Sequence, residues 1–420
     1  MEKFIVMGGN RLVGDIKVSG AKNAILPIMA ACLLTHGEVT LFQVPKIRDV
    51  TMMAKILTHL GAVVNWSGST LNIKGEQVEP KEVSEALMRQ LRASNLIVGP
   101  LLSRFRKVKV AYPGGCAIGS RPMDLHLKGF RAMGATVTEK YGFIELEAPN
   151  LHGAEIHLDF PSVGATENIM MAAVLAKGNT VIRNAAREPE IVDLQNCLNA
   201  MGARIKGAGL DTIKIEGVTE LGSAEHTIIP DRIEAGTHMV AAAITRGDVH
   251  ITNVIVEHVE PVVAKLKEMG VHVWETSGSS IRVKAPGRLK AADCRTLPYP
   301  GFPTDMQPQI MALMTVAEGT SVVAESIFDN RFKHVDELRR MGANIKVEGR
   351  VAIIKGVPRL SGAFVEATDL RAGAALVLAG LVAEDATIIE SIEHVDRGYE
   401  SLESKYAALG ARIIRVNGKS

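Results

Sequence analysis

Hydrophobic residues recur along the chain at three- and four-residue steps, the spacing that places side chains on one face of a helix. One such series is Val50, Met53, Ile56 and Leu57. A second series runs through residues 259–269. Both series predict amphipathic helices that bury one face against a core.

A short signature follows these helices six times: a long apolar residue, a glycine and a small residue. Its glycines are Gly61, Gly134, Gly202, Gly270, Gly342 and Gly410. They lie 73, 68, 68, 72 and 68 residues apart, so the chain consists of six copies of one unit of about 70 residues. Because glycine readily adopts the left-handed conformation that closes a helix, each signature predicts a helix end.

Two further patterns complete each unit. Alternating stretches such as residues 271–274 and 281–284 predict half-buried strands after the signature. Upstream of the amphipathic helix lies a stretch that is apolar on all sides, which predicts a fully buried helix. Examples are residues 24–34, 168–176, 236–244 and 372–383. The predicted order of elements in each unit is therefore helix, strand, helix, strand, strand. The predicted fold is α/β, with two domains of three units each, in which the sheets surround buried helices.

Composition narrows the class of protein. The 420 residues carry 48 Lys and Arg against 46 Asp and Glu, and the net charge of +2 argues against a general nucleic-acid binder. The longest apolar stretch, residues 372–383, is shorter than the roughly 18 to 20 residues of a membrane span, and no secretory signal is visible. We therefore expect a cytoplasmic protein without membrane partners; the sequence is silent on its oligomeric state.

The buried helices begin with charged and polar residues. A helix N-terminus offers free N–H groups and the positive end of the helix dipole, so several such ends in one cleft would bind phosphate or carboxylate groups. Four hydroxyl residues here have a simpler explanation as plain N-caps: Ser162, Thr166, Thr304 and Thr368. That explanation does not cover Lys22, Arg92 and Arg371, because cations are disfavoured at a helix N-terminus unless an anion lies beside them. The repeats by themselves also fit a binding scaffold without chemistry.

The four cysteines divide into different contexts. They lie 81 to 97 residues apart without a CxxC pair, which indicates neither a disulfide framework nor a zinc site. Cys32 and Cys197 fall in apolar helical patterns and are expected to be inert, whereas Cys294 has no informative context. Cys116 lies in a loop of three glycines between prolines, residues 113–122, which predicts a mobile lid with a reactive thiol.

Acidic and basic residues also cluster in turn-like segments near the C-terminus. Asp305 follows a Phe-Pro-Thr segment, and Arg331, Arg371 and Arg397 each have an acidic neighbour. Any one of these arginines could form a surface ion pair with that neighbour. Their equivalent positions in successive repeats favour convergence on one cleft.

Together these motifs resemble the UDP-N-acetylglucosamine 1-carboxyvinyltransferase family of enolpyruvyl transferases, from residue 1 to about residue 416. Besides the repeat, the resemblance lies in GAKN (20–23), LRAS (91–94), PGGCAIGSRP (113–122), FPTDMQ (302–307), ESIFDNR (325–331), TDLR (368–371) and DRGY (396–399). The cysteine loop distinguishes this family from its sister enzyme, which acts on shikimate 3-phosphate.

The resemblance implies a fold and a reaction. The fold is an inside-out α/β barrel in two domains, residues 1–21 with 230–420 and residues 22–229, with the active site in the cleft between them. The nucleotide sugar closes this cleft, and the Cys116 loop folds over it. The reaction transfers enolpyruvyl from phosphoenolpyruvate to the 3′-hydroxyl of UDP-N-acetylglucosamine, releases phosphate and opens peptidoglycan synthesis. Nothing in the sequence calls for a metal, because no histidine cluster occurs and cationic side chains can neutralise the charge of the transferred group; no cofactor is expected.

The resemblance also implies residue roles. Asp305 takes the hydroxyl proton, and Cys116 donates a proton, binds phosphoenolpyruvate covalently and is alkylated by fosfomycin. The phosphate is assigned to Lys22, Arg121 and Arg397, and the carboxylate to Arg331 and Arg371. Asn23 lies near both substrates, and Asp369 organises the site. The positions assigned to the nucleotide sugar are Arg92, Arg121, Pro122, Met123, Asp124, Leu125, Ser162, Val163, Gly164, Asp305 and Ile327, with Phe328 nearby.

One segment departs from some members of the family. Residues 159–162 read DFPS, where those members carry Lys-Val before the serine. If that lysine touches the diphosphate in those members, this chain must lack the contact or replace it. The Phe-Pro form resembles a variant of low-GC Gram-positive bacteria, which often carry two paralogues. Two alternatives stay open: the shikimate-pathway enolpyruvyl transferase, and a catalytically silent paralogue that acts as a binding or regulatory protein.

Overall fold

The computed structural model describes residues 2–83, 85–112 and 123–417. The predicted lid, and with it Cys116, Arg121 and Pro122, lies outside the described residues. The backbone of Arg92 is described but its side chain is not.

The helices and strands follow the predicted order. The α-helices are α1 (Lys22–Ala31), α2 (Arg48–His59), α3 (Glu85–Gln90), α4 (Val98–Phe105), α5 (Asp124–Ala132), α6 (Val163–Ala173), α7 (Pro189–Ala200), α8 (Arg232–Ile244), α9 (Glu260–Glu268), α10 (Gln307–Met314), α11 (His334–Arg340), α12 (Leu370–Gly380) and α13 (Leu402–Ala408). Short 3-10 helices cover Cys32–Leu34, Arg92–Ile97, Val256–Val259, Thr304–Met306 and Ile392–Arg397.

The strands are short and numerous. They are β1 (Glu2–Met7), β2 (Val13–Lys17), β3 (Glu38–Phe42), β4 (Val63–Ser67), β5 (Thr70–Lys74), β6 (Lys107–Ala111), β7 (Thr136–Lys140), β8 (Phe143–Glu147), β9 (Glu155–His157), β10 (Asn179–Arg183), β11 (Arg204–Lys206), β12 (Thr212–Glu216), β13 (Ala224–Thr227), β14 (Asp248–Thr252), β15 (His272–Ser277), β16 (Ser280–Lys284), β17 (Cys294–Arg295), β18 (Thr320–Ala324), β19 (Asn344–Glu348), β20 (Val351–Lys355), β21 (Phe364–Glu366), β22 (Ala386–Glu390) and β23 (Arg412–Asn417).

The six signatures end six helices in the same way. The signature glycines have φ between +88° and +107°, in the left-handed region. After α2, the N–H of Gly61 donates to the carbonyl of Thr58, and the N–H of Ala62 donates to that of Leu57. The same two bonds close α5, α7, α9, α11 and α13. This arrangement satisfies the last carbonyls of each helix, so the predicted helix ends are confirmed.

The described chain forms two compact units. The terminal unit contains residues 2–19 and 230–417, and the central unit contains the described residues of 20–229. The terminal unit has three sheets, with strand orders β15-β16-β14-β2, β17-β18-β20-β19 and β21-β22-β1-β23. The sheets of the central unit have the orders β13-β3-β5-β4, β11-β12-β10-β9 and β6-β8-β7.

Sheet pairing adds strands that the sequence pattern does not predict. In five of the sheets an edge strand pairs in parallel with the strand that follows the buried helix; these edge strands are β2, β9, β13, β17 and β21. They are two to five residues long, which is too short for a clear alternating pattern. One of these five sheets, β21-β22-β1-β23, also contains the first strand of the chain, since β1 pairs with both β22 and β23.

The predicted buried helices form the cores of the two units. All residues of α12 are buried, and α8 is buried from Ile233 onward. These helices start two to five residues earlier than their apolar stretches, because each also includes residues that precede the stretch, polar ones among them. Each of the two compact units is thus an α/β barrel turned inside out, with its helices within its sheets. Of the helices in the described ranges, none is both long and apolar enough to cross a membrane.

Candidate active site

Two buried arginines of the terminal unit converge on the carboxylate of Asp305. The 3-10 turn Thr304–Met306 places Asp305 just before α10, Arg371 is in the first turn of α12, and Arg331 precedes α11. Nη2 of Arg331 donates to Oδ1 of Asp305 at 3.0 Å, and Nη2 of Arg371 donates to Oδ2 at 3.0 Å. The arginine side chains are 2% and 3% exposed, and that of Asp305 is 25% exposed.

This arrangement concentrates positive charge in the protein interior. Burial alone would lower the pKa of Arg371, but the charge of Asp305 and the contact with Tyr399 hold it above its usual value. Nε of Arg331 and Nη1 of Arg371 are buried and have no hydrogen-bond partner among the described residues. Each of these two buried guanidinium groups therefore has an unused N–H donor. Such donors are expected in a site where a ligand supplies a further hydrogen-bond acceptor.

The alternative of local surface ion pairs is wrong for Arg331 and Arg371. Asp329 pairs with Arg350 instead of Arg331. Asp369 accepts hydrogen bonds from the backbone N–H groups of Arg371 at 2.9 Å and Ala372 at 3.0 Å, so its carboxylate caps α12.

Arg397 has a different setting from the other two arginines. It lies half-buried at the end of the 3-10 helix Ile392–Arg397. Its neighbour Asp396 accepts from Arg415 at 2.6 Å. The acidic residue next to Arg397 in the sequence therefore pairs with Arg415 of β23.

Glu325 holds the turn that carries Asp305 in place through hydrogen bonds. The sequence pattern does not reveal this role. It is buried and accepts hydrogen bonds from the hydroxyls of Thr304 at 3.0 Å and Thr296 at 2.8 Å. The same carboxylate accepts from the backbone N–H groups of Ile327 at 2.8 Å and Phe328 at 3.1 Å. The loop that carries Ile327 and the turn that carries Asp305 are thus joined through one buried acid.

His334 is buried near Arg331. Burial lowers its pKa to about 4; the charge of Asp369 opposes this shift, and that of Arg331 adds to it. The imidazole is therefore neutral near pH 7, so it adds no positive charge next to Arg331.

The buried imidazole predicts acid sensitivity. His334 takes up a proton below its ordinary pKa of 6.5 when the chain is unfolded, but only near pH 4 when it is folded. Its contribution to stability is therefore complete above pH 6.5 and is lost as the pH falls toward 4, by roughly 3 kcal/mol. We expect urea unfolding of His334→Gln to show a smaller loss of stability over this range than the wild type. Equal pH dependence of the two proteins would contradict the assignment.

The central unit brings a lysine and a buried acid together at the start of α1. Lys22 and Asn23 are the first residues of this helix. Nζ of Lys22 lies 3.1 Å from Oδ2 of Asp49, and the two side chains are 13% and 2% exposed. A protein carboxylate thus offsets the cation at this N-terminus, just as Asp305 does for Arg371. Asp49 belongs to none of the sequence motifs, so the sequence pattern does not reveal its role.

Asn168 of α6 joins the starts of neighbouring helices in the central unit. Its Oδ1 accepts from the N–H of Gly99 at 2.8 Å, and its Nδ2 donates to the carbonyl of Asn95 at 3.1 Å. Nδ2 also lies 3.0 Å from Nδ1 of His126, in the first turn of α5. This buried amide therefore positions the segments that carry the residues expected to bind the nucleotide sugar.

Those expected residues lie at helix starts. Met123, Asp124 and Leu125 begin α5, while Ser162 caps α6 and accepts from the N–H of Ala165 at 3.4 Å. Val163 and Gly164 form the first turn of α6, and all three residues at this end are partly exposed.

The N-cap explanation holds only for Ser162 among the four hydroxyl residues. Thr166 lies inside α6 and accepts from the N–H of Ala186 at 3.1 Å. Thr304 binds Glu325. The buried hydroxyl of Thr368 has no hydrogen-bond partner among the described residues, because Asp369 takes the cap position of α12.

The cysteines in the described part of the chain are buried, so the expectation of inert core residues is confirmed for Cys32 and Cys197. Burial raises the pKa of Cys32 well above its usual value, and that of Cys197 to about 12. Cys294, which had no sequence context, is also buried, and its pKa is raised to about 12. All three thiols are therefore poor nucleophiles near pH 7.

The departing segment at residues 159–162 has a cation beside it. Nζ of Lys128, on α5, lies 2.9 Å from Oδ2 of Asp159, and Phe160 is exposed. A lysine is thus present next to this segment, although it belongs to a different element from the lysine of other family members.

Comparison with known proteins identifies the family. The sequence model of the family EPSP synthase (3-phosphoshikimate 1-carboxyvinyltransferase) matches residues 6–406. The chain is 60% identical to UDP-N-acetylglucosamine 1-carboxyvinyltransferase 1 of Carboxydothermus hydrogenoformans, with 100% of this chain and 99% of the relative covered. It is 55% identical to the protein numbered 2 of that organism, with 99% and 100% covered. A relative from Symbiobacterium thermophilum, also numbered 1, is 59% identical, with 99% and 95% covered.

Solved structures agree on the fold. The enolpyruvyl transferase NikO from Streptomyces tendae superposes with a TM-score of 0.89 at 24% identity, over 100% of this chain and 99% of that one. EPSP synthase from Acinetobacter baumannii superposes with a TM-score of 0.74 at 20% identity, over 99% and 100%. From the family model and the full-length relatives together, the chain belongs to the EPSP synthase family and, within it, to the UDP-N-acetylglucosamine 1-carboxyvinyltransferases.

Proposed function

We propose that the protein transfers the enolpyruvyl group of phosphoenolpyruvate to the 3′-hydroxyl of UDP-N-acetylglucosamine and releases phosphate, which begins peptidoglycan synthesis. The observation that carries this proposal is the convergence of buried Arg331 and Arg371 on one carboxylate position. Guanidinium groups pair well with a planar carboxylate, and phosphoenolpyruvate carries one next to its phosphate. The names of the full-length relatives support the same reaction.

The proposed chemistry is addition followed by elimination. Asp305 accepts the proton of the sugar hydroxyl as its oxygen bonds to C2 of phosphoenolpyruvate, while Cys116 donates a proton to C3. The resulting tetrahedral intermediate then loses phosphate and a C3 proton, which restores the double bond. General acid and base groups typically contribute factors of about 10² to 10⁴ each to such a reaction.

The binding roles follow the resemblance. Arg331 and Arg371 hold the carboxylate, and their unused buried N–H donors support this role. Lys22, Arg121 and Arg397 hold the phosphate, where three cations stabilise the charge of the leaving group. Asn23 contacts both substrates. The helix starts that carry Arg92, Met123, Asp124, Leu125 and residues 162–164 bind the nucleotide sugar, together with Pro122, Asp305 and Ile327.

Three further expectations belong to this proposal. The two functional domains are residues 1–21 with 230–420 and residues 22–229, and the loop at 113–122 closes over the bound substrates. The enzyme works in the cytoplasm, because both proposed substrates are phosphorylated intracellular metabolites. Its partners are these two small molecules.

Phosphate release tests the proposal against its alternatives. The purified protein is incubated with phosphoenolpyruvate and either UDP-N-acetylglucosamine or shikimate 3-phosphate, with a control that lacks an acceptor. We expect release with the nucleotide sugar only. Release with shikimate 3-phosphate would favour the sister enzyme, and no release with either acceptor would indicate a silent paralogue.

A further inference from the structure

A buried polar cluster lies behind Arg371 in the terminal unit, outside the residues assigned to the reaction. Its members are Thr237 on α8, Gln309 on α10 and Tyr399, which follows the 3-10 helix Ile392–Arg397. Each comes from a different repeat of this unit, and all three are buried. Such a cluster is costly in a core unless its hydrogen bonds are satisfied, so its placement calls for an explanation.

The three side chains bind one another. Oη of Tyr399 lies 2.9 Å from Oγ1 of Thr237. Nε2 of Gln309 donates to both oxygens, at 3.2 Å in each case. The Thr237 hydroxyl in turn donates to the carbonyl of Ile233, one turn earlier on α8, at 2.7 Å.

These contacts determine the direction of the Tyr399 hydroxyl. A threonine hydroxyl has one proton, and that of Thr237 is directed to the Ile233 carbonyl. In the contact between the two hydroxyls, Tyr399 is therefore the donor and Thr237 the acceptor. The phenolic oxygen of Tyr399 retains its lone pairs, one of which accepts from Gln309.

Arg371 also lies next to Tyr399. Cζ of Arg371 lies 5.5 Å from the centroid of the Tyr399 ring. Burial raises the pKa of Tyr399, although Arg371 opposes this shift, so the phenol is neutral near pH 7. A neutral phenol whose own proton is committed to Thr237 presents an electron-rich ring and oxygen to the guanidinium.

We propose that Tyr399, oriented by Thr237 and Gln309, is a positioning residue that holds the Arg371 guanidinium in the plane required to bind the substrate carboxylate. This inference rests on the proposed function. Bidentate pairing requires a fixed guanidinium plane, whereas an arginine side chain has several rotatable bonds. Asp305 binds one nitrogen of Arg371, and the Tyr399 cluster supports the group from the core.

The test uses two buried tyrosines as a matched pair. Tyr399→Phe and Tyr406→Phe each remove one buried hydroxyl; that of Tyr406 lies 3.3 Å from Nδ1 of His238. We expect Tyr399→Phe to raise the KM for phosphoenolpyruvate about 5- to 20-fold, with kcat and the KM for the nucleotide sugar within about threefold of wild type, since carboxylate binding is lost equally in ground and transition states. Tyr406→Phe should leave all three parameters within about twofold.

A second pair addresses the orientation of the hydroxyl. Thr237→Val removes the acceptor of Tyr399 and should also raise the KM for phosphoenolpyruvate, whereas Thr237→Ser keeps the hydroxyl and should restore it. Melting temperatures of all variants show whether the change is only one of stability.

Each outcome supports or overturns the positioning role. An unchanged KM in Tyr399→Phe, or an equal rise in Tyr406→Phe, overturns this role while the proposed function stands. If the wild type itself releases no phosphate in the same assay, the proposed function fails and this role fails with it.

Discussion

Replacing Asp305 with asparagine should lower turnover by about two to four orders of magnitude, and it should also strengthen the binding of phosphoenolpyruvate. The loss of turnover follows from the proposed role of Asp305 as general base, since such a group contributes about 10²- to 10⁴-fold. An amide has nearly the same shape as a carboxylate but cannot accept the hydroxyl proton.

The gain in binding follows from the ion pairs of the site. Both oxygens of Asp305 accept from the arginines proposed to hold the substrate carboxylate, at 3.0 Å each. The carboxylate of Asp305 therefore already offsets part of the positive charge that attracts the substrate, and it repels the substrate carboxylate that binds to the unused N–H donors. A neutral amide is a weaker competitor for this charge, so we expect the affinity for phosphoenolpyruvate to rise severalfold.

Isothermal titration of phosphoenolpyruvate, in the absence of the nucleotide sugar, measures this gain. The control is Asp329→Asn, which removes an exposed carboxylate paired with Arg350 and should leave both binding and turnover close to wild type. Weaker binding of phosphoenolpyruvate by Asp305→Asn would show that the carboxylate supports substrate binding rather than competing with it.

Replacing Cys116 with serine should abolish most turnover, by at least about a hundredfold. A serine hydroxyl is a much weaker acid than a thiol and cannot supply the proton to C3. The matched control is Cys197→Ser, because Cys197 is buried and has no assigned role; this variant should retain nearly full turnover. Phosphate release under saturating substrates compares the two variants.

Fosfomycin provides an independent readout for the same cysteine. The thiols of Cys32, Cys197 and Cys294 are buried and have raised pKa values, so they should resist alkylation. Peptide mass mapping of the treated protein should find the adduct at Cys116. An adduct at a buried cysteine instead would contradict the assignment of Cys116 as the reactive thiol. Full turnover of Cys116→Ser would show that another group donates the proton.

Local patterns in the sequence predict a large part of the fold. The six helix ends depend on hydrogen bonds between residues a few positions apart and on the conformational freedom of one glycine, so the signature suffices to predict them. The buried helices follow from stretches without a polar face, since such a helix must be covered on all sides. The edge strands are absent from that prediction, because a strand of two to five residues is determined by its partner rather than by its own pattern.

The candidate site, like the fold, is only partly predictable from the sequence. Its residue types and motifs are visible in the sequence, and the repeat brings equivalent helix starts to equivalent places. The partners of the charged residues are not visible. Arg331 and Arg371 have acidic neighbours in the sequence, yet both pair with Asp305, which lies 26 and 66 residues away. Lys22 pairs with Asp49, which carries no motif.

The sequence by itself therefore determined the repeat, the order of helices and strands, the helix ends and the chemical groups available to the site. Only the tertiary structure decided which charges meet, which donors remain unused in the core, and how Tyr399, Thr237 and Gln309 surround Arg371. The physical reason is one of range. Helix periodicity and capping act within a few residues of the chain, whereas ion pairs and buried hydrogen bonds depend on distances in space between segments that only folding brings together.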